Sequence, residues 1–215
     1  MSKISIILPT YNRANTLLRA VKSVQQQTFT DWELFILDDG STDNTAQIIK
    51  PAIKNDPRIT YRFHKNLGEV PTRQIGISLA KGEIISFIDS DDYYKPDHLV
   101  KHAAFLKNHP EIDAVYGKTT TLGDGYVPDI RDNQKMIHVD KCHIYPTFFI
   151  RKKIFRTIRK LPDARLGADY LLCHLMRRQG FKVKKLYFQT YVYDRSGEDS
   201  WTKNYARQLK SNSKK

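Results

Sequence analysis

The chain opens on a short apolar run, "ISIIL" (4–8), stopped by Pro9, which predicts a strand. In "NTLLRAVKSVQQQ", Leu17, Leu18, Val21 and Val24 fall on one helical face, with Asn15 placed to cap it. "ELFIL" (33–37) predicts the second strand and runs into "DDGSTDNT", a loop of turn and capping residues. "TAQIIKPAI" predicts a short helix that Pro51 kinks or ends. "ITYRF" (59–63) is a third strand, "PTRQIGISLAKG" a helix closed by Gly82, and "EIISFI" (83–88) a fourth strand. "KPDHLVKHAAFLKN" then starts a helix with proline near its beginning, where a missing N–H costs little.

Four strand–helix alternations in a hundred residues predict βαβ units and a parallel sheet. Ligands bind such sheets beyond the carboxyl ends of their strands. Three loops at that edge carry unusual chemistry: "PTYNR" after the first strand, "DDGSTDNT" after the second and "DSDD" after the fourth. The second half is less regular. "DAVYG" (113–117) predicts a strand, 118–140 a polar loop without clear period, and "TFFIRKKIF" a strand or helix entry. "LGADYLLCHLMRRQG" predicts a helix ended by Gly180, "FKVKKLYF" a strand, and the chain from Lys203 a basic tail. No internal repeat is present.

Length and composition fit this picture. The 215 residues suit one domain, and 40% apolar residues place the chain among ordinary globular proteins. No apolar run approaches the roughly 18 residues of a membrane span, and no signal-peptide pattern is seen at the start. Cys142 and Cys173 have no metal or redox spacing and are expected to be structural residues in a reducing, cytoplasmic setting. The net charge of +13 lies wholly in residues 101–215, with 24 Lys+Arg against 11 Asp+Glu, while residues 1–100 balance at 12 and 12. A basic half suggests an anionic partner: phosphate groups, a lipid surface or nucleic acid.

Asp89, Asp91 and Asp92 crowd into four positions of "IDSDD". They form either a solvated acidic turn or a site for a hard divalent cation, which offsets the repulsion and shares its coordination with substrate phosphates. Asp38 and Asp39 either cap the following segment or contact a nucleotide.

The runs "ISIILPTYNRANTLLRAVKSVQQQTFTDWELFILDDGSTDNT" and "NLGEVPTRQIGISLAKGEIISFIDSDDYYKPDHL" resemble the nucleotide-sugar half of family 2 glycosyltransferases over residues 4–99. "WELFILDDGS" is similar to the spore-coat polysaccharide members of that family. The resemblance implies an α/β chain with the GT-A fold (Rossmann-like, of the nucleotide-diphospho-sugar transferases), a mostly parallel central sheet flanked by helices. The single domain would divide into a nucleotide-sugar half (1–100), an acceptor and catalytic-base half (101–202) and the basic tail (203–215). By position, Pro9, Thr10 and Tyr11 would line the base pocket, Asp39 would accept from the base, and Arg73 would reach towards the nucleotide. Asp89-Ser90-Asp91 would be the DxD motif, Asp89 near the ribose and Asp91, with Asp92, holding Mn²⁺ or Mg²⁺. Asp169 in "RLGADYLL" would be the base that takes the acceptor's proton, with Asp163 as its competitor.

Two departures stand out. Alanine precedes Asp169 where the family usually has Glu, and Ser196 of "YVYDRSGEDSW" falls where many relatives have a metal-binding His. Asp194, His143, His138 or His174 would be the substitutes; Arg195 and Lys203 would form a flap over the diphosphate, and Trp201 would stack on a sugar or pack. The implied partners are a nucleotide-sugar donor, UDP-linked foremost, and a glycan or glycolipid acceptor, with peripheral contact to an anionic membrane surface and no nucleic acid. No Gln-x-x-Arg-Trp stretch marks a processive synthase. The rival readings are a nucleotidyltransferase, although "LPTYNRANT" lacks the expected glycine-rich loop, and a non-catalytic nucleotide- or nucleic-acid-binding module.

Overall fold

The computed structural model describes residues 3–164 and 166–197. The first half follows the predicted alternation: β1 (Ile4–Thr10), α1 (Leu17–Gln25), β2 (Trp32–Asp38), α2 (Thr45–Ile53), β3 (Ile59–Phe63), α3 (Glu69–Leu79) and β4 (Ile84–Phe87). β1, β2 and β4 are near-continuous apolar runs because both faces of the sheet are covered. Next come β5 (Tyr93–Tyr94), α4 (His98–Asn108), β6 (Ala114–Tyr116), β7 (Thr119–Leu122), β8 (Tyr126–Asp129), β9 (Asp132–His138), β10 (Phe149–Arg151), α5 (Ile154–Thr157), α6 (Ala168–Arg178), β11 (Val183–Lys185) and β12 (Tyr191–Asp194).

Seven strands form the main sheet in the order β11-β6-β10-β4-β1-β2-β3. All neighbours run parallel except β10, which is antiparallel to both β4 and β6. One core layer packs α1, α2 and α4 on Ile4, Ile6, Leu34 and Ile36; the other packs α3, α5 and α6 on Ile7, Phe35, Leu37 and Ile85. This alternation of side chains is the two-residue period of a strand. A small sheet, β5-β12-β7, and the hairpin β8–β9 sit apart from the main sheet.

Several sequence expectations change. The cap position of α1 is Thr16, without a side-chain cap bond, rather than Asn15. α2 runs through Pro51 and ends two residues later, so the proline forfeits only its own late hydrogen bond. α3 stops at Leu79, not at Gly82. Gly82 instead lies against β1, where a Cβ would fall 2.5 Å from the Lys3 carbonyl. Its N–H donates to Ser5 and to the buried Glu33. Within 118–140, expected as loop, are β7 and the β8–β9 hairpin. "FKVKKLYF" forms only the three-residue β11, while Gly180 has the expected left-handed φ of 82° after α6.

Candidate active site

The register of the parallel strands brings three chain ends to one edge: Thr10 lies opposite Asp38, and Ile7 opposite Phe87. The first two loops beyond that edge are tied together. Asn12 adopts a left-handed φ of 51°, which asparagine tolerates, and its side-chain oxygen accepts from the Thr42 N–H at 2.8 Å. Its own N–H donates to Ser41, the Arg13 N–H to Thr45 and the Ala14 N–H to Asp43. The turn residues of "GSTDNT" thus clasp "PTYNR".

A cavity of about 470 Å³ opens at this edge. Its wall includes Pro9, Thr10, Tyr11, Arg13, Asp39, Glu69, Arg73, Asp89, Ser90, Asp91, Asp169 and Asp194. Of the ten residues to which the resemblance gives donor-binding, metal or catalytic-base roles, nine therefore meet in one place. Asp92 does not line it. It is 1% exposed, and its carboxyl accepts from the Tyr191 hydroxyl and, at 2.8 Å, from the Asp194 N–H, pinning β12 to the "DSDD" turn. The expected second metal ligand is thus turned inward.

The other acids are held individually. Asp39 accepts from the Leu67 and Gly68 N–H groups at 2.6 and 2.9 Å, fixing the entry to α3. Asp38 is fully buried and accepts from Ser41 and Tyr61. Arg73, 1% exposed, pairs with Glu69 at 2.7 Å and Asp89 at 2.6 Å. Burial, opposed by Arg73 and aided by the charge of Glu69, pushes the Asp89 carboxyl up to about 6. Burial likewise raises Asp91, against the pull of Arg13. Asp169 sits in the first turn of α6, after Gly167 with φ 79°, and accepts from the Tyr170 N–H. Burial and the charge of Glu69 push it up to about 7.

Glu69 was missed in the sequence, although its i,i+4 spacing to Arg73 on α3 was a usable signal. Cys142, Ile144 and Tyr145 were also missed as cavity wall. Among the substitutes for the absent His, Asp194 and His143 line the cavity and His138 and His174 do not. Asp194 is engaged by Arg19 at 2.6 Å and by Ser196. Arg195 is 2% exposed and donates to the Tyr126 carbonyl, so it pins the hairpin instead of forming a flap. Asp163 is exposed and off the cavity wall. Trp201 and Lys203 lie outside the described residues.

Among the described residues no three His, Cys, Asp or Glu side chains form a cage for a metal. The cavity nonetheless suits a hard cation. Asp89, Asp91 and Asp169 bring hard carboxylate oxygens to one wall, and burial holds Asp89 and Asp91 above the usual carboxylate range against the pull of Arg73 and Arg13. Mg²⁺-like ions are commonly held by one or two carboxylates and completed by substrate oxygens.

Residues 5–182 match the family model described as Glycosyl transferase family 2. An uncharacterized glycosyltransferase of Rickettsia conorii is 41% identical over 108 residues, covering 50% of this chain and 18% of the relative. The chain therefore spans under a fifth of that relative's length. The crystal structure of S. aureus TarS 1–349 in complex with UDP-GlcNAc aligns with a TM-score of 0.69 at 23% identity, covering 91% of this chain and 60% of that one. The mannosyltransferase PcManGT from Pyrobaculum calidifontis, in complex with GDP-Man and Mn²⁺, gives 0.75 at 16% identity, covering 95% and 59%. At those identities the likeness is one of fold, and the mostly parallel α/β architecture is the GT-A fold.

Proposed function

Because the chain belongs to glycosyl transferase family 2, we propose that it transfers a sugar, with inversion and one unit per encounter, from a nucleotide-diphosphate sugar to an acceptor hydroxyl. The observation that carries this reading is the meeting of Asp39, Arg73, Asp89, Asp91 and Asp169 around one cavity at the carboxyl edge of the sheet. Pro9, Thr10, Tyr11 and Asp39 would receive the base, uracil foremost. The Glu69–Arg73–Asp89 chain would orient the ribose and diphosphate, since a buried guanidinium held by two acids is fixed in direction. Asp91 would hold Mn²⁺ or Mg²⁺, with phosphate oxygens completing the coordination. A bound divalent ion supplies Lewis-acid stabilisation of the departing diphosphate. Asp92 is left out of that role because it does not reach the cavity wall and its oxygens face Tyr191 and Asp194 in the interior.

Asp169 is the proposed base. Its carboxyl, raised to about 7, matches the proton affinity that a base needs near neutrality, and such a group contributes roughly 10²–10⁴-fold. The acceptor would be a glycan or glycolipid approaching past the β8–β9 hairpin. Ile130 and Met136 there, and Tyr170 and Leu171 on α6, are exposed apolar residues, with exposed Arg131 and Lys135 among them. That combination supports peripheral contact with an anionic membrane from the cytoplasmic side. Among the described residues no helix is long and apolar enough to cross a membrane.

A thermal-shift screen of UDP-, GDP- and dTDP-sugars, each with and without Mn²⁺, tests the reading. One nucleotide series should raise the melting temperature, and more so with the metal. No stabilisation by any of them would remove the donor assignment.

A further inference from the structure

Two residues of the cavity wall, Arg73 and Tyr145, each carry a buried polar group with no hydrogen-bond partner among the described residues: Nη1 of Arg73 and the hydroxyl of Tyr145. The two residues are 1% and 5% exposed. Arg73 commits Nε and Nη2 to Glu69 and Asp89, which leaves the N–H groups of Nη1 open. Its guanidinium lies 4.8 Å from the centre of the Tyr145 ring, so the two open groups belong to side chains in contact. Native proteins carry few such groups because each costs free energy, and two on neighbouring side chains of one cavity point to a ligand that pairs with them. Tyr145 is firmly placed. It opens a single 3-10 turn, Tyr145–Thr147, just before β10, closed by the Phe148 N–H donating to the Tyr145 carbonyl at 3.0 Å. Its ring meets Phe87 edge-on, with centroids 5.5 Å apart. β10 pairs with β4, whose end leads to Asp89, so the sheet itself sets Tyr145 beside the acids.

On the donor reading above, on which this inference rests, the diphosphate departs on the Asp91 side and Asp169 takes the proton of the acceptor hydroxyl. The sugar in transfer then lies between the two. Tyr145 stands in that interval: it touches Arg73, the partner of Asp89, and its hydroxyl feels the charges of Asp169 and Glu69. Burial raises that hydroxyl further above the usual phenol range, so it stays protonated and able to donate. The matching ligand atom is an oxygen, because Nη1 only donates and a phenol donates or accepts. It is uncharged, because Arg73 already faces two carboxylates and they would repel a third anion. We propose that the Tyr145 hydroxyl and the Arg73 Nη1 bind hydroxyl oxygens of the transferred sugar, which makes Tyr145 a residue that selects the sugar and not the nucleotide.

Tyr145→Phe keeps the ring and its contacts with Arg73 and Phe87 and removes only the hydroxyl. Without ligand the variant should melt at or above the wild-type temperature, since what it loses is an unpaired buried group. In the presence of Mn²⁺, calorimetry should give it the wild-type affinity for UDP and GDP. Its affinity for whichever of UDP-glucose, UDP-N-acetylglucosamine and GDP-mannose the wild type binds should be about three- to tenfold weaker, the range of one neutral hydrogen bond. Three results would each overturn the assignment. A lower melting temperature without ligand would reveal a structural partner for the hydroxyl. Equal losses for the nucleoside diphosphate and its sugar would place the contact on the nucleotide. An unchanged affinity for the nucleotide sugar would remove Tyr145 from the site while leaving the donor reading intact. A wild type that binds none of the five compounds removes that reading, and this inference with it.

Discussion

Asp169 illustrates how a residue's place decides its chemistry. Its carboxyl is raised to about 7 because burial and Glu69 disfavour the charge. In the unfolded chain it titrates near 3.9. The folded protein therefore holds the proton more tightly, and the stability this contributes is complete below the unfolded value and lost as pH rises through about 7. Asp169→Asn removes that loss. The variant should melt at the same temperature as the wild type near pH 4 and at a higher one at pH 8. It should bind donor normally and transfer no sugar. Wild-type kcat/KM should fall as pH drops below about 7, where the base is protonated. Normal transfer by the variant would move the base elsewhere. Pro9, Thr10, Tyr11, Asp39, Arg73, Asp89, Ser90, Asp91 and Asp169 could be singled out because the resemblance to family 2 glycosyltransferases carries over onto those positions, and the loops that hold most of them fall at the carboxyl edge of the predicted sheet. Arg13 and Tyr145 were not seen as site residues, because only tertiary contact gives them a partner in Asp91 and Arg73.

At the scale of elements, adjacent aspartates of identical chemistry serve different ends. Asp91 faces the cavity, while Asp92 ties β12 to the turn after β4. Asp92→Ala should cost roughly 2–4 kcal/mol, since it strands the buried Tyr191 hydroxyl and the Asp194 N–H. Asp91→Ala should shift stability by less than about 1 kcal/mol, the range of its partly exposed ion pair, yet abolish Mn²⁺-dependent nucleotide binding. Urea denaturation beside calorimetry separates the two. Equal losses of stability would contradict this division. Sequence periodicity could not distinguish them, because neither lies in a regular strand or helix. It also missed the β8–β9 hairpin. Gly123, Gly125 and Pro128 break the alternation there, and among the described residues the two strands pair only with each other.

Across the whole molecule, the βαβ half was readable since local period dictates it, whereas the seat of β10 was not. "TFFIRKKIF" shows an apolar run, but nothing local tells that run to enter between β4 and β6 in the opposite direction. A fragment of residues 1–112 would leave the hydrogen-bonding edge of β4 bare, with Ile85 and Phe87 stripped of cover. It should aggregate on size-exclusion chromatography and lack a cooperative thermal transition; a monomeric, cooperatively melting fragment would show the first half to be autonomous. The same insertion sets a schedule for biosynthesis. A nascent chain cannot complete its sheet until the segment around residue 150 clears the ribosomal tunnel, so the amino-terminal half waits, incomplete and vulnerable to chaperones and proteases, for a strand made much later.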